Sequence, residues 1–316
     1  MARLPFLVRD FARSEVRRSR PTVLVMAPTN RCNAGCSFCL DFPRDPPQTM
    51  SLAQFDTILA KLAPDLELVD FSFYGEPMLN SSLPEMIRHA RACGLGTILY
   101  TNGLLLDDGR IRALADSGIE VVVINLNAWG DDQRVVDVDG FPAARVEQVS
   151  RLVRACAPRT LVVLQVLTRP GGRGCDLRAL ARRFPDPGNR LLRLKPEQRF
   201  AYERGRAASG RVRCLRPFEE IAVAPDGVVA LCCKDMLRRS TFGNLLSEDL
   251  DEIWIRRMNV ARRDNRADLC LRCEAPGDPR RVLANVLLSP LDARRLYLRV
   301  GSSLGSRMPR RSRAPR

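Results

Sequence analysis

Six short apolar runs, separated by amphipathic stretches, constrain what this chain can fold into more than any other feature. They are 22–27 (TVLVMA), 67–73 (ELVDFSF), 95–100 (LGTILY), 119–126 (IEVVVINL), 160–167 (TLVVLQVL) and 190–195 (RLLRLK). Helical periodicity fills the intervals at 51–63, 82–93, 107–117, 142–156 and 175–184. Strand-like runs alternating with helices of this length specify βαβ units, and therefore a parallel sheet in an α/β fold. Several runs are apolar on both alternating positions, as strands covered on both faces must be. Turn chemistry agrees, with Asn102-Gly103 after the third run and Ser117-Gly118 closing the third helix.

The pattern changes after about residue 205. IAVAPDGVVALC reads as a β-hairpin turning at Pro225-Asp226-Gly227. A helix is expected at 248–263, with Leu250, Ile253, Trp254 and Met258 on one face, and another at 281–299. The expected organisation is a basic extension (1–20), an α/β core (21–205), a small hairpin-plus-helix domain (206–280), a C-terminal helix (281–300) and a disordered basic tail (301–316).

The formal net charge of +15 raises the question of nucleic acid. Residues 1–20 and 301–316 supply nine of those fifteen charges, so the excess reads as solvated ends rather than as a phosphate-binding face. No run approaches the roughly 20 apolar residues of a bilayer span. The N-terminus is too interrupted by Arg and Asp for a secretory signal, so the expectation is a cytoplasmic protein with no membrane or nucleic-acid partner. A single histidine, His89, leaves no multi-histidine metal site.

Eleven cysteines in such a chain argue for metal or redox chemistry rather than a disulfide framework. Cys32, Cys36 and Cys39 fall within eight residues, just after the first strand. Three thiolates can hold three corners of a cubic iron–sulfur cluster and leave the fourth iron without a protein ligand. Zinc would need a fourth ligand close by, and none follows at zinc spacing. Farther on, Cys214, Cys232 and the pair Cys270 and Cys273 compose a four-thiolate set that suits a fully ligated cluster or structural zinc. Cys93 and Cys156, at helix ends, read as small buried hydrophobes.

The motif CNAGCSFC resembles the signature of the radical S-adenosylmethionine superfamily, CxxxCx-aromatic-C, with Phe38 as the aromatic. Phe73-Tyr74-Gly75-Glu76-Pro77, ending the second strand, resembles that family's glycine-glycine-glutamate-proline motif, with Tyr74 in place of the first glycine. The resemblance implies a partial (β/α)6 TIM-like barrel over about residues 22–200. It further implies a 4Fe–4S cluster on Cys32, Cys36 and Cys39, and S-adenosyl-L-methionine held by Phe38, Tyr74, Gly75, Glu76, Pro77 and Asn125. Strand alternation would turn Asn125 and Asn127 to the same interior face. Thr101-Asn102-Gly103 matches a frequent family segment, but reads equally well as a turn.

RCLRPFEEIAVAPDGVVALCCKDM, with FGNLL, DEIW and CLRC after it, resembles the family's C-terminal SPASM/twitch extension. That resemblance shifts Cys214, Cys232, Cys270 and Cys273 from zinc to an auxiliary 4Fe–4S cluster. Cys233 is expected on the opposite face from Cys232, packed there or acting as a hydrogen-atom donor.

The family's chemistry then implies reductive cleavage of the cofactor to a 5′-deoxyadenosyl radical, fed by a reducing partner such as flavodoxin or ferredoxin. The radical would take hydrogen from a small polar substrate, sugar-like or aminocyclitol-like, for net dehydrogenation or epimerisation. Two other readings stay open. One is a maturase of a ribosomal peptide, although only about 20 residues precede the first strand, too few for a leader-binding domain. The other is a non-catalytic iron–sulfur or zinc protein that binds RNA.

Overall fold

The computed structural model describes residues 20–36, 39, 46–129, 140–156, 159–168, 177–184, 190–196, 216–261 and 270. All lie within one compact unit, Arg17–Gly277.

Six parallel strands form the core: β1 (Val23–Met26), β2 (Leu68–Phe71), β3 (Gly96–Thr101), β4 (Val121–Asn125), β5 (Leu161–Thr168) and β6 (Arg190–Pro196). Helices α1 (Leu52–Leu62), α2 (Leu83–Ala92), α3 (Asp108–Asp116), α4 (Ala143–Cys156) and α5 (Leu177–Arg183) connect them in turn. Consecutive strands are neighbours throughout, from β1 to β6. This is the strand order of a partial TIM-like barrel.

The two faces of the sheet divide by strand alternation. Leu24 and Met26, Val69 and Phe71, Val122 and Ile124, and Val162, Leu164 and Val166 join one buried cluster with α1 (Phe55, Ile58), α2 (Met86, Ile87) and α4 (Val149, Leu152). The intervening residues take the opposite, interior face. Helix starts are fixed locally: Ser51 and Gln54 close a reciprocal capping box on α1, and Asp107 caps α3 by accepting from the Arg110 N–H. His89 is half-exposed on α2 and meets Asp56 of α1 at 2.7 Å.

The hairpin forms as expected. A short helix, α6 (Arg216–Glu219), leads into β7 (Glu220–Val223) and β8 (Val228–Ala230). Gly227 sits at φ +84° in the turn. A third strand, β9 (Thr241–Asn244), and helix α7 (Leu250–Ala261) follow. β7 docks parallel to β1, with Val23 opposite Glu220 and Met26 opposite Val223. The result is a single nine-stranded sheet, β6-β5-β4-β3-β2-β1-β7-β8-β9, continuous from the core into the hairpin. Lys61 of α1 ties the same two regions by donating to the carbonyls of Leu245 (2.6 Å) and Glu248 (2.8 Å). Among the described residues, no helix is long and apolar enough to cross a membrane.

Candidate functional site

The loop that leaves β1 is pinched at its base. Asn30 Nδ2 donates to the Pro46 carbonyl (2.9 Å), Asn30 Oδ1 accepts from the Gln48 N–H (2.7 Å), and Thr29 Oγ1 donates to the Gln48 carbonyl (2.8 Å). Cys32, Cys36 and Cys39 all lie on the loop closed in this way. Cys39 N–H donates to the Cys36 carbonyl at 2.9 Å, turning the chain between those two thiols.

The segment after β2 fits against this loop. Glu76 N–H donates to the Arg31 carbonyl at 2.8 Å. Gly75 has φ +75°, and a Cβ there would stand 2.2 Å from the Thr29 carbonyl oxygen and 3.0 Å from that of Arg31. Only glycine allows both the backbone conformation and this approach.

Glu76 is 2% exposed. Its Oε1 accepts from Thr101 Oγ1 (2.7 Å) and the Met78 N–H (3.1 Å), and its Oε2 accepts from the Asn102 N–H (2.8 Å). Burial pushes its pKa up, and those three donors oppose the shift. No Lys, Arg or His pairs with it among the described residues. A buried carboxylate held by dipoles alone is an incomplete arrangement, and a cationic ligand completes it.

Thr101-Asn102-Gly103 does more than turn the chain. Asn102 donates through Nδ2 to Asn33 Oδ1 (2.8 Å) on the cysteine loop, and its carbonyl accepts from Trp129 Nε1 (2.7 Å). Asn102 therefore joins the cysteine loop, the Glu76 segment and the end of β4. The sequence marked it only as one of two equal readings, and Asn33 and Trp129 carried no signal.

Asn125 ends β4, half-buried, and its Oδ1 accepts from the Asn127 N–H at 3.2 Å. Asn127 has left the strand for a 3-10 turn, Leu126–Trp129, so the alternation argument that paired it with Asn125 does not apply. Tyr74 and Pro77 are buried. Tyr74 lies against Phe73 (ring centroids 4.6 Å) in an inner cluster with Val25, Ala222, Ala230 and Met236. Burial pushes its phenol up. Phe38 falls outside the described residues.

Of the second cysteine set, Cys232 and Cys270 are described, and Cys214 and Cys273 fall outside. Cys232 and Cys270 are both buried in the helix-side cluster. Cys233, by contrast, borders the inner cluster that Cys32 also borders. Its N–H donates to Glu220 Oε1 (2.9 Å), and Arg216 lies 3.2 Å from its sulfur and 3.0 Å from Glu220 Oε2. Burial pushes the Cys233 thiol up to about 12, with Arg216 opposing. Arg257 on α7 is fully buried and went unnoticed in the sequence. Its guanidinium donates to the carbonyls of Leu231, Pro217 (2.6 Å) and Glu220 (2.5 Å), fixing the backbone around Cys232. Cys156 is buried as expected, and its thiol is pushed up to about 11. Cys93 is exposed at the end of α2, contrary to expectation, because the helix face that turns inward carries Met86, Ile87 and Ala90 instead.

The donor sets suit iron–sulfur clusters. Among the described residues no three Cys, His, Asp or Glu side chains converge as a single ion requires. Cys32, Cys36 and Cys39 on the first loop are soft thiol ligands of the kind that iron–sulfur clusters take.

Comparison with known proteins agrees with this chemistry. Residues 26–176 match the Radical SAM superfamily, and residues 214–274 match SPASM, an iron-sulfur cluster-binding domain. These two domains imply a cofactor-binding 4Fe–4S cluster, S-adenosylmethionine and an auxiliary cluster. A tungsten-containing aldehyde ferredoxin oxidoreductase cofactor-modifying protein of Pyrococcus furiosus is 29% identical over 40% of this chain and 36% of its own length. A PqqA peptide cyclase of Rhodopseudomonas palustris is 31% identical over 41% of this chain and 34% of its own. The chain thus spans only about a third of those relatives. An S-adenosyl-L-methionine-dependent 2-deoxy-scyllo-inosamine dehydrogenase of Niallia circulans is 24% identical over 77% of this chain and 89% of its own. The crystal structure of BtrN in complex with AdoMet and 2-DOIA superposes with a TM-score of 0.55 at 18% identity, covering 80% of this chain and 93% of that one. At that identity the likeness is one of fold.

Proposed function

We propose that this chain, which belongs to the radical S-adenosylmethionine superfamily and carries a C-terminal SPASM iron–sulfur domain, dehydrogenates an alcohol carbon of a small polar, aminocyclitol-like or sugar-like substrate. The observation that carries the reading is reach. Similarity to the aminocyclitol dehydrogenase runs through 89% of that protein, against about a third of the peptide cyclase.

In this reading the core spans 21–205 and the auxiliary domain 206–280. Cys32, Cys36 and Cys39 hold the first cluster, and Cys214, Cys232, Cys270 and Cys273 hold the second. Glu76 takes the ammonium of the cofactor's methionine end, since it is a buried carboxylate with no cation of its own among the described residues. Gly75 keeps side chains out of the approach, and Phe38, Tyr74, Pro77 and Asn125 line the rest of the cofactor's bed. When bound, the cofactor and clusters supply acceptors for a hydrogen atom and a second electron, so that an alcohol also releases a proton and leaves as a ketone. A reducing partner such as flavodoxin or ferredoxin provides the first electron.

Anaerobic reconstitution with iron and sulfide, then dithionite, S-adenosylmethionine and 2-deoxy-scyllo-inosamine, tests the reading. One 5′-deoxyadenosine per ketone formed is expected. Coupled turnover of a ribosomal peptide, with none of the alcohol, would replace the substrate class.

The position of Cys233 favours one second reading, epimerisation with Cys233 as hydrogen donor, because it faces the inner cluster rather than the Cys232 side. Turnover of the Cys233→Ala variant in deuterated water decides it. Normal turnover with deuterium incorporated removes that role.

A further inference from the structure

Gln165 sits on β5 between Leu164 and Val166, both of which pack on the helix side of the sheet. Alternation turns Gln165 the other way, into the barrel. It is 4% exposed, and its Oε1 is buried with no hydrogen-bond partner among the described residues. Leaving a buried amide oxygen unpaired destabilises a fold, and an apolar residue of similar size would not incur that cost. Across the strand pair its register partner is Asn125. The Asn125 amide is oriented by the Asn127 N–H on its Oδ1. Two side-chain amides therefore stand next to each other on the interior face, near the carboxyl ends of β4 and β5.

We propose that Gln165 is a ligand-recognising residue, accepting a hydrogen bond through Oε1 from a hydroxyl or amino group bound inside the barrel, with Asn125 as the neighbouring contact. Both the ribose of the cofactor and an aminocyclitol substrate carry such groups, so the chemistry is shared and the source is open to test. The inference deepens the function proposed above and rests on it for the second ligand only.

The experiment is thermal unfolding of the reconstituted full chain, wild type and Gln165→Leu, measured alone, with S-adenosylmethionine, and with S-adenosylmethionine plus 2-deoxy-scyllo-inosamine. Alone, the variant should match the wild type or exceed it by about 2–4 °C. Its apparent affinity for one of the two ligands should fall about tenfold, the loss of one hydrogen bond. A loss confined to S-adenosylmethionine assigns the contact to the cofactor, and a loss confined to the aminocyclitol assigns it to the substrate. A variant less stable than wild type when ligand-free overturns the proposal, because the amide then serves the fold. Undiminished affinity for whichever of the two ligands the wild type binds overturns it as well. A wild type stabilised by the cofactor alone removes the aminocyclitol reading, and the cofactor arm still decides the role of Gln165.

Discussion

The side chain of Asn102 donates to Asn33 Oδ1 at 2.8 Å, joining the turn after β3 to the cysteine loop after β1. The Asn102 N–H reaches Glu76 Oε2 as well, so one residue sets the spacing between the proposed cluster loop and the proposed ammonium site. Replacing Asn102 with Leu keeps the backbone donor and removes the side-chain bonds. Stability should fall by about 1–2 kcal/mol in urea unfolding. Affinity for S-adenosylmethionine should fall with it.

Glu76→Gln removes a charge that burial disfavours. The folded-state pKa of Glu76 lies above its unfolded value. Its contribution to stability is therefore full below the ordinary carboxylate range and is lost as pH rises through the folded pKa. The ligand-free wild type should lose stability relative to Glu76→Gln as pH rises from acid to neutral, as measured by paired urea titrations. Cofactor affinity should move the opposite way, about 10–100-fold weaker in the variant at neutral pH.

Gly75→Ala places a methyl 2.2 Å from the Thr29 carbonyl at a backbone angle alanine avoids. The expected cost is at least about 2 kcal/mol by chemical denaturation. Because the obstruction falls on the root of the cysteine loop, iron retained after desalting should fall too.

Iron counting separates the two cysteine sets. Changing Cys214, Cys232, Cys270 and Cys273 together to Ala should lower iron from about eight to about four per chain. Adding Cys32, Cys36 and Cys39 to the set should remove the remainder. Zinc recovered from the wild type in place of the second four irons would contradict the auxiliary cluster.

Arg257→Met leaves the carbonyls of Leu231, Pro217 and Glu220 without the guanidinium that now serves them. Several unpaired buried carbonyls make a loss of about 3 kcal/mol or more the expected outcome in urea unfolding. The backbone beside Cys232 should loosen, visible as faster amide exchange at 231–233.

Much of this architecture was legible in the sequence. Runs apolar on both alternating positions, such as VVVI within IEVVVINL, read as strands covered on both faces, and β4 lies inside that run. What escaped has physical causes. β9 (TFGN) is too short and polar to show a period. Arg257 reads as one more solvated cation until the helix is docked over three carbonyls. The pairing of β7 with β1 joins residues about two hundred positions apart, and no local pattern encodes it. Within the site, the thiols and Glu76 were visible as motifs. Asn33, Trp129 and Gln165 were not, because ordinary residue types acquire meaning only from the neighbours that folding brings.

The antiparallel return of β8 has an architectural consequence. β7 runs with β1, so the chain that comes back along β8 delivers Cys232 and Cys233 beside Glu220, level with Val23 where β1 begins. The first cysteine loop departs from the other end of β1, four residues away. That strand is thus a spacer of about 13 Å between Glu220 and the root of the first cysteine loop. In the proposed reading, with a cluster at each cysteine set, lengthening or shortening it would change the gap that an electron has to jump.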